Sequence, residues 1–384
     1  MILKTASIIL FLILCGIGAL LSLHKPLWYD ELYGQLSSVE QHSYAQLILG
    51  DLQGEGNNCP LFFLVQKGFT NLIHYRAPFL WNNEFSIYEP KSQIILRFMP
   101  FVFLSLGIVL IFYFFSRYYS LWAGIYALLL SLASPLVWAY WAEARPYSLW
   151  FLLSVIQSLL LIKLLRDQDQ KALKWLIPTH FLLALTTLFG ILQIISAAIL
   201  LWIFDKRHWK QHLCLTFLPM IIAGFYSLQA FLQPDKTHII YFFFHPWWML
   251  LMSNFPLERL GGLVIYIAIV LYAQIKRISL AQQNMEGKSY LLFFFLMIIA
   301  AAMIMSWFTL HSTSQPTSFP VPNRYFIFLT PVGIIISTLI LIDIVKWMQG
   351  KRWILANILI IVLGTLLVQG FHAIDDLLKM DIYY

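Results

Sequence analysis

Charge is what this sequence has least of. Only 11% of its 384 residues are Asp, Glu, Lys or Arg while 60% are apolar, which excludes an ordinary soluble domain with a mixed polar surface. A disulfide framework is excluded too. Of the three cysteines, Cys15 and Cys214 lie in or beside apolar stretches and only Cys59 is expected outside the membrane, so no pair is available within the chain. There is no internal repeat and no low-complexity segment. A small-residue cleavage site before His24 is also missing, so the first apolar segment reads as a retained span and not as a signal peptide.

What is present is lipid-soluble sequence. Mean hydropathy is +0.76, and apolar runs near the ~20 residues needed to cross a bilayer recur along the whole length. The pattern predicts an all-α polytopic membrane protein with about eleven spans. They fall near residues 5–23, 95–115, 120–139, 148–165, a close pair within 175–204, then 213–231, 257–275, 290–308, 325–345 and 353–371. The pair has basic flanks at Lys171, Lys174, Lys206, Arg207 and Lys210, which favours a hairpin turning near Gly190 over one tilted helix.

Placing Lys4 in the cytoplasm puts about 15 of the 25 Lys and Arg inside and about 13 of the 18 Asp and Glu outside. The net charge of +7 is therefore a topology signal and not a nucleic-acid footprint. Loops 24–94, 232–256 and 309–324 then face the periplasm or an equivalent compartment. The chain reads as a single transmembrane domain, 1–384, with no separate soluble C-terminal domain, in a bacterial-type inner membrane.

The first outer loop carries helical patterns of its own. Leu32, Leu36 and Val39 share one face, Tyr44, Leu47, Ile48 and Asp51 another, and Pro60 opens a third helix bearing Leu61, Leu64, Val65 and Leu72. These are short amphipathic helices suited to the membrane interface. The aromatic run Tyr241 to Trp248 suits an interfacial or re-entrant piece at the same depth.

Several charges gather on the outer side. Trp28-Tyr29-Asp30-Glu31 places two adjacent carboxylates just beyond the first span, and Arg97, Arg145 and Arg324 lie at outer ends of later spans. Each has a plain structural explanation as well: carboxylates are favoured at a helix N-terminus, and arginines snorkel to headgroups. A histidine placed like His245 in an aromatic loop more often packs at the interface than binds a metal. Convergence at one depth nevertheless suits phosphate-linked chemistry. Guanidinium groups hold phosphate oxygens in a fork, and a carboxylate accepts the proton of an attacking hydroxyl.

In order, WYDE at 28–31, Pro60-Leu61-Phe62-Phe63, LRFMPFVFLSLG at 96–107, AEARPYSL at 142–149 and NRYFIFLTP at 323–331 resemble the GT-C superfamily of integral-membrane glycosyltransferases. Its relatives include protein O-mannosyltransferases and the lipid A aminoarabinose transferase. The likeness is strongest over residues 1–165 and returns at 323–331. It implies a GT-C-like fold and a sugar donor carried on polyprenyl phosphate. The sugar would pass by inverting displacement to a glycolipid, polysaccharide or protein hydroxyl outside the cytoplasm. By the same resemblance Asp30 is the base and Glu31 the second acidic member. Arg145 and Arg324 lie near the donor phosphate with Tyr147 and Tyr325 as neighbours, and Arg97 is a recurrent Arg of undefined role grouped with them.

The chain departs from the family at Asn57-Asn58-Cys59-Pro60, where relatives carry a His or another metal- or phosphate-contacting residue. Asn is a poor metal ligand, which leaves a divalent metal open, with His245 and Glu31 as a partial candidate site. Two other functions share the many spans and basic pocket. A flippase or other transporter would place charges near the midplane, and a polysaccharide polymerase or O-antigen ligase would carry its large Arg-rich outer loop late in the chain.

Overall fold

The structure is a computed structural model. It describes residues 2–52, 59–78, 87–205, 207–232, 242–243, 293, 296–304, 319–320, 323–347 and 357. Over these the protein is helical, apart from turns and a two-residue parallel pairing of Phe242–Phe243 with Phe319–Pro320. The chain runs through α1 (Ile2–His24), α2 (Tyr29–Tyr33), a π-helical stretch Gly34–Glu40, α3 (Tyr44–Ile48) and α4 (Leu61–Leu72). It continues with α5 (Pro90–Tyr118), α6 (Leu121–Leu132), α7 (Pro135–Trp141), α8 (Tyr147–Asp167), α9 (Gln170–Thr186), α10 (Gly190–Phe204) and α11 (Trp209–Leu232). A short 3-10 helix, Asn323–Phe326, then leads into the helix Leu329–Trp347.

Among the described residues four helices are long and apolar enough to cross a membrane: Ile2–His24, Pro90–Tyr118, Tyr147–Asp167 and Trp209–Gln229. The expected span 257–275 and nearly all of 353–371 lie outside the described residues. Helix α8 is the axis of the bundle, with 83% of its apolar window buried against 22% for α1. It packs on α5 and α9, while α1 lies on the far side of α5. Close approach of α1 to α5 needs Gly18, because a Cβ there would stand 2.5 Å from Cβ of Phe101 and 3.0 Å from Nε1 of Trp141.

The expected hairpin within 175–204 is present as α9 and α10, turning through Thr187 to Phe189 with Gly190 N–H donating to Thr187 O at 3.0 Å. At Gly190 a Cβ would meet the carbonyl oxygen of Leu183 at 2.6 Å. The span expected at 120–139 is instead two helices. Pro135 cannot donate to the preceding turn, so α6 stops and α7 starts afresh with Pro135 in its first turn.

The described parts of the stretch between α1 and α5 are helical as expected, with a change of face. In α4 the buried side chains are Phe62, Phe63, Gln66 and Thr70, whereas Leu72 is 78% exposed and Leu61, Leu64 and Val65 are half-buried. Pro100 explains the buried Gln66. Proline in α5 has no N–H for the carbonyl of Leu96, and Gln66 Nε2 donates to that oxygen at 3.0 Å, which ties α4 to α5. At its other end the loop is pinned to α11 by the Tyr226 hydroxyl, which donates to Ile48 O at 2.6 Å.

Candidate active site

Asp30 and Glu31 both sit in the first turn of α2, and neighbouring helical side chains point about 100° apart. The two carboxylates therefore separate. Glu31 turns inward and is 1% exposed; the Asp30 side chain stays 31% exposed.

The inward carboxylate meets Arg97 of α5 in a bidentate pair. Nε donates to Oε1 at 2.8 Å and Nη2 to Oε2 at 2.5 Å. The remaining N–H groups of Arg97 donate to three carbonyls of the turn leaving α1: Ser22 O at 3.0 Å, Lys25 O at 2.5 Å and Pro26 O at 2.7 Å. Arg97 is 0% exposed, and its five donors are all taken. This corrects its grouping with the phosphate contacts, since no N–H remains for a phosphate. Burial alone would push the Glu31 carboxyl up, but the charge and hydrogen bonds of Arg97, with help from Lys25 and the Ala144 N–H, hold it below the usual carboxylate range.

Glu31 also carries the geometry outward. Its Oε2 accepts from Trp28 N–H at 3.2 Å, and its Oε1 accepts from Ala144 N–H at 2.7 Å. Ala144 belongs to the turn between α7 and α8, which is tightened by Arg145 N–H donating to Glu143 O at 2.7 Å. Strapping this turn to α2 sets Arg145 beside Asp30. Nη1 of Arg145 lies 3.4 Å from Asp30 O, and Nη2 lies 3.9 Å from Oδ2.

Behind this pair stands an aromatic wall. The Arg145 guanidinium lies 5.9 Å from the Tyr147 ring centre, and Tyr147 meets Tyr325 edge-to-face at 6.4 Å. Tyr325 in turn meets Phe189 at 6.4 Å. Tyr147 and Tyr325 thus join the neighbourhood of Arg145 across widely separated sequence. Arg324 is on the 3-10 helix Asn323–Phe326, adjacent to Tyr325, with only its backbone among the described residues. His245 and the stretch Asn57-Asn58 lie outside the described residues. Among the described residues no group of three or more His, Cys, Asp or Glu is placed to hold a metal.

Sequence reading assigned no role to Lys25 or Glu143. The structure pairs them, with Lys25 Nζ 3.8 Å from Glu143 Oε2 and donating to Ala139 O at 3.3 Å. Glu143 stands next to the predicted Arg145 motif, but Lys25 carries no local pattern that marks it.

No family model matches the chain, and no curated protein matches it. Among solved structures, the chain is similar to the crystal structure of ArnT from Cupriavidus metallidurans in the apo state, with 13% sequence identity and a TM-score of 0.49 over 98% of this chain and 74% of that one.

Proposed function

We propose that the chain is a GT-C-type membrane glycosyltransferase, moving one sugar from a polyprenyl-phosphate donor to an acceptor hydroxyl on a glycolipid, polysaccharide or protein at the outer face of the inner membrane. The observation that carries this reading is the Glu31 strap, which brings the half-exposed Asp30 and the cation Arg145 together from 115 positions apart. The order of the five GT-C-like motifs supports it independently.

In the proposed step the acceptor oxygen attacks the anomeric carbon as the bond from that carbon to the donor phosphate oxygen breaks. The bond's electron pair leaves with the phosphate, and the acceptor proton passes to Asp30. A carboxylate is a weak base, so proton transfer comes late, after the sugar has gained oxocarbenium character. Arg145, with Arg324, stabilises the departing phosphate, and one displacement inverts the anomeric centre. Glu31 and Arg97 act as positioning residues, holding Asp30 outward and Arg145 in place.

Asp30→Asn tests the assignment. It should lower transfer by about 10²–10⁴-fold while donor affinity stays within error, because only proton removal is lost. Arg145→Ala should weaken donor binding by about 10- to 100-fold. Normal turnover in Asp30→Asn removes it from the mechanism. Movement of an intact lipid-linked sugar across vesicles, without cleavage of the sugar–phosphate bond, replaces the enzyme with a transporter.

A further inference from the structure

Behind the aromatic wall a second polar cluster lies inside the helical bundle, apart from the proposed chemistry. Trp150 Nε1–H donates to Gln193 Oε1 at 2.7 Å, and Gln193 Nε2 donates to Ser154 Oγ at 2.9 Å. Gln157 Nε2 faces both the backbone carbonyl of Gln193, at 3.2 Å, and Nε2 of His180, at 3.0 Å. The His180 ring meets the His212 ring edge-to-face, with centroids 5.1 Å apart. Gln157 and His180 are 0% exposed, Gln193 and His212 1%.

The hydrogen-bond pattern determines where the protons are. A carbonyl oxygen only accepts, so the end of Gln157 facing Gln193 O is its NH₂. That same NH₂ faces His180 Nε2, which must therefore accept, and the ring proton of neutral His180 sits on Nδ1. Among the described residues, His180 Nδ1, both ring nitrogens of His212 and Oε1 of Gln157 have no hydrogen-bond partner. The cluster thus offers two N–H donors, one from each ring, together with the second nitrogen of His212 and Oε1 of Gln157 as acceptors.

A metal ion needs lone pairs, and His180 has none left to give. An anion meets no cation among the described partners of this cluster, and an apolar group satisfies none of the four atoms. A hydroxyl both donates and accepts, and immobilising a water at such an edge costs less than leaving these groups unpaired in an apolar interior. We propose that His180, His212 and Gln157 form an intramembrane hydroxyl-binding site, occupied by water, where α9 packs against α8 on one side and α11 on the other. It is independent of the transferase reading and stands or falls by itself.

The test uses the full chain, labelled with 15N-histidine and reconstituted in lipid nanodiscs. Magnetic resonance of the ring nitrogens should show neutral His180 with its proton on Nδ1, and that proton should receive magnetisation from water. His180→Gln assigns the signal. A proton on Nε2 overturns the site, as does an Nδ1–H that receives nothing from water, which means a dry edge-to-face pair. Ring shifts of His180 or His212 on adding Zn²⁺ or Cu⁺ overturn it in favour of a metal site. A second measurement needs no assignment: His212→Gln, which keeps a donor and an acceptor, should hold the wild-type melting temperature, and His212→Phe should lower it. The opposite order argues against bound water.

Discussion

Arg97 and Glu31 form a pair whose removal is asymmetric. Deleting one partner leaves a charge sealed in a dry site, which costs about 3–5 kcal/mol. Arg97→Met or Glu31→Gln should therefore cause a large drop in the melting temperature of the detergent-purified protein. The double variant Glu31→Met/Arg97→Met should recover part of it, because no charge is stranded, although three carbonyls and the N–H groups of Trp28 and Ala144 still lose their partners. Full additivity of the two single losses would show that the pair is not coupled. A pH signature follows as well. The folded-state pKa of Glu31 lies below its ordinary 4.5, so its stabilisation is complete above that value and disappears as pH falls through the lower folded-state value. Melting curves of wild type and Glu31→Gln from neutral to acidic pH should converge only in acid; a gap that stays constant would refute the linkage. Which of the two carboxylates turned inward was hidden in WYDE, since both residue types suit a helix N-terminus equally well.

Elements reveal their design where backbone groups lose their local partners. Pro100 orphans the Leu96 carbonyl, and Gln66 on α4 supplies the donor. Gln66→Leu should cost about 1–3 kcal/mol for an unsatisfied buried carbonyl, and restoring a residue with an N–H by Pro100→Ala should relieve much of it; melting curves of the single and double variants check both. Gly18→Val belongs to the same scale. Its side chain has no room between Phe101 and Trp141, and overpacking costs about 1–3 kcal/mol, so an unchanged melting temperature would mean α1 is free to shift. The helix hairpin around Gly190 was legible because basic flanks and a glycine are local signals. The break at Ser134-Pro135 was legible in principle, through proline alone. The buried face of α4 was not: its leucines formed a helical stripe, but contact with α5 selected Phe62, Phe63 and Gln66.

Over the described residues the molecule is a helical bundle with much apolar surface exposed on its outer helices. Orientation can be checked with single cysteines and a membrane-impermeant maleimide. Tyr88→Cys should label from outside intact cells and Gln170→Cys only after permeabilisation; the reverse pattern would turn the protein over in the membrane. Sequence alone determined the all-helical membrane class and the shared side of Asp30, Arg97 and Arg145, because these follow from composition, run length and local flanks. Tertiary structure alone decided that Arg97 is sealed by five hydrogen bonds, that Glu31 is a strap, and that Asp30 and Arg145 face each other. Those roles depend on contacts between residues 66 and 115 positions apart, and the energy of a buried charge is set by what surrounds it in space, not by its neighbours along the chain.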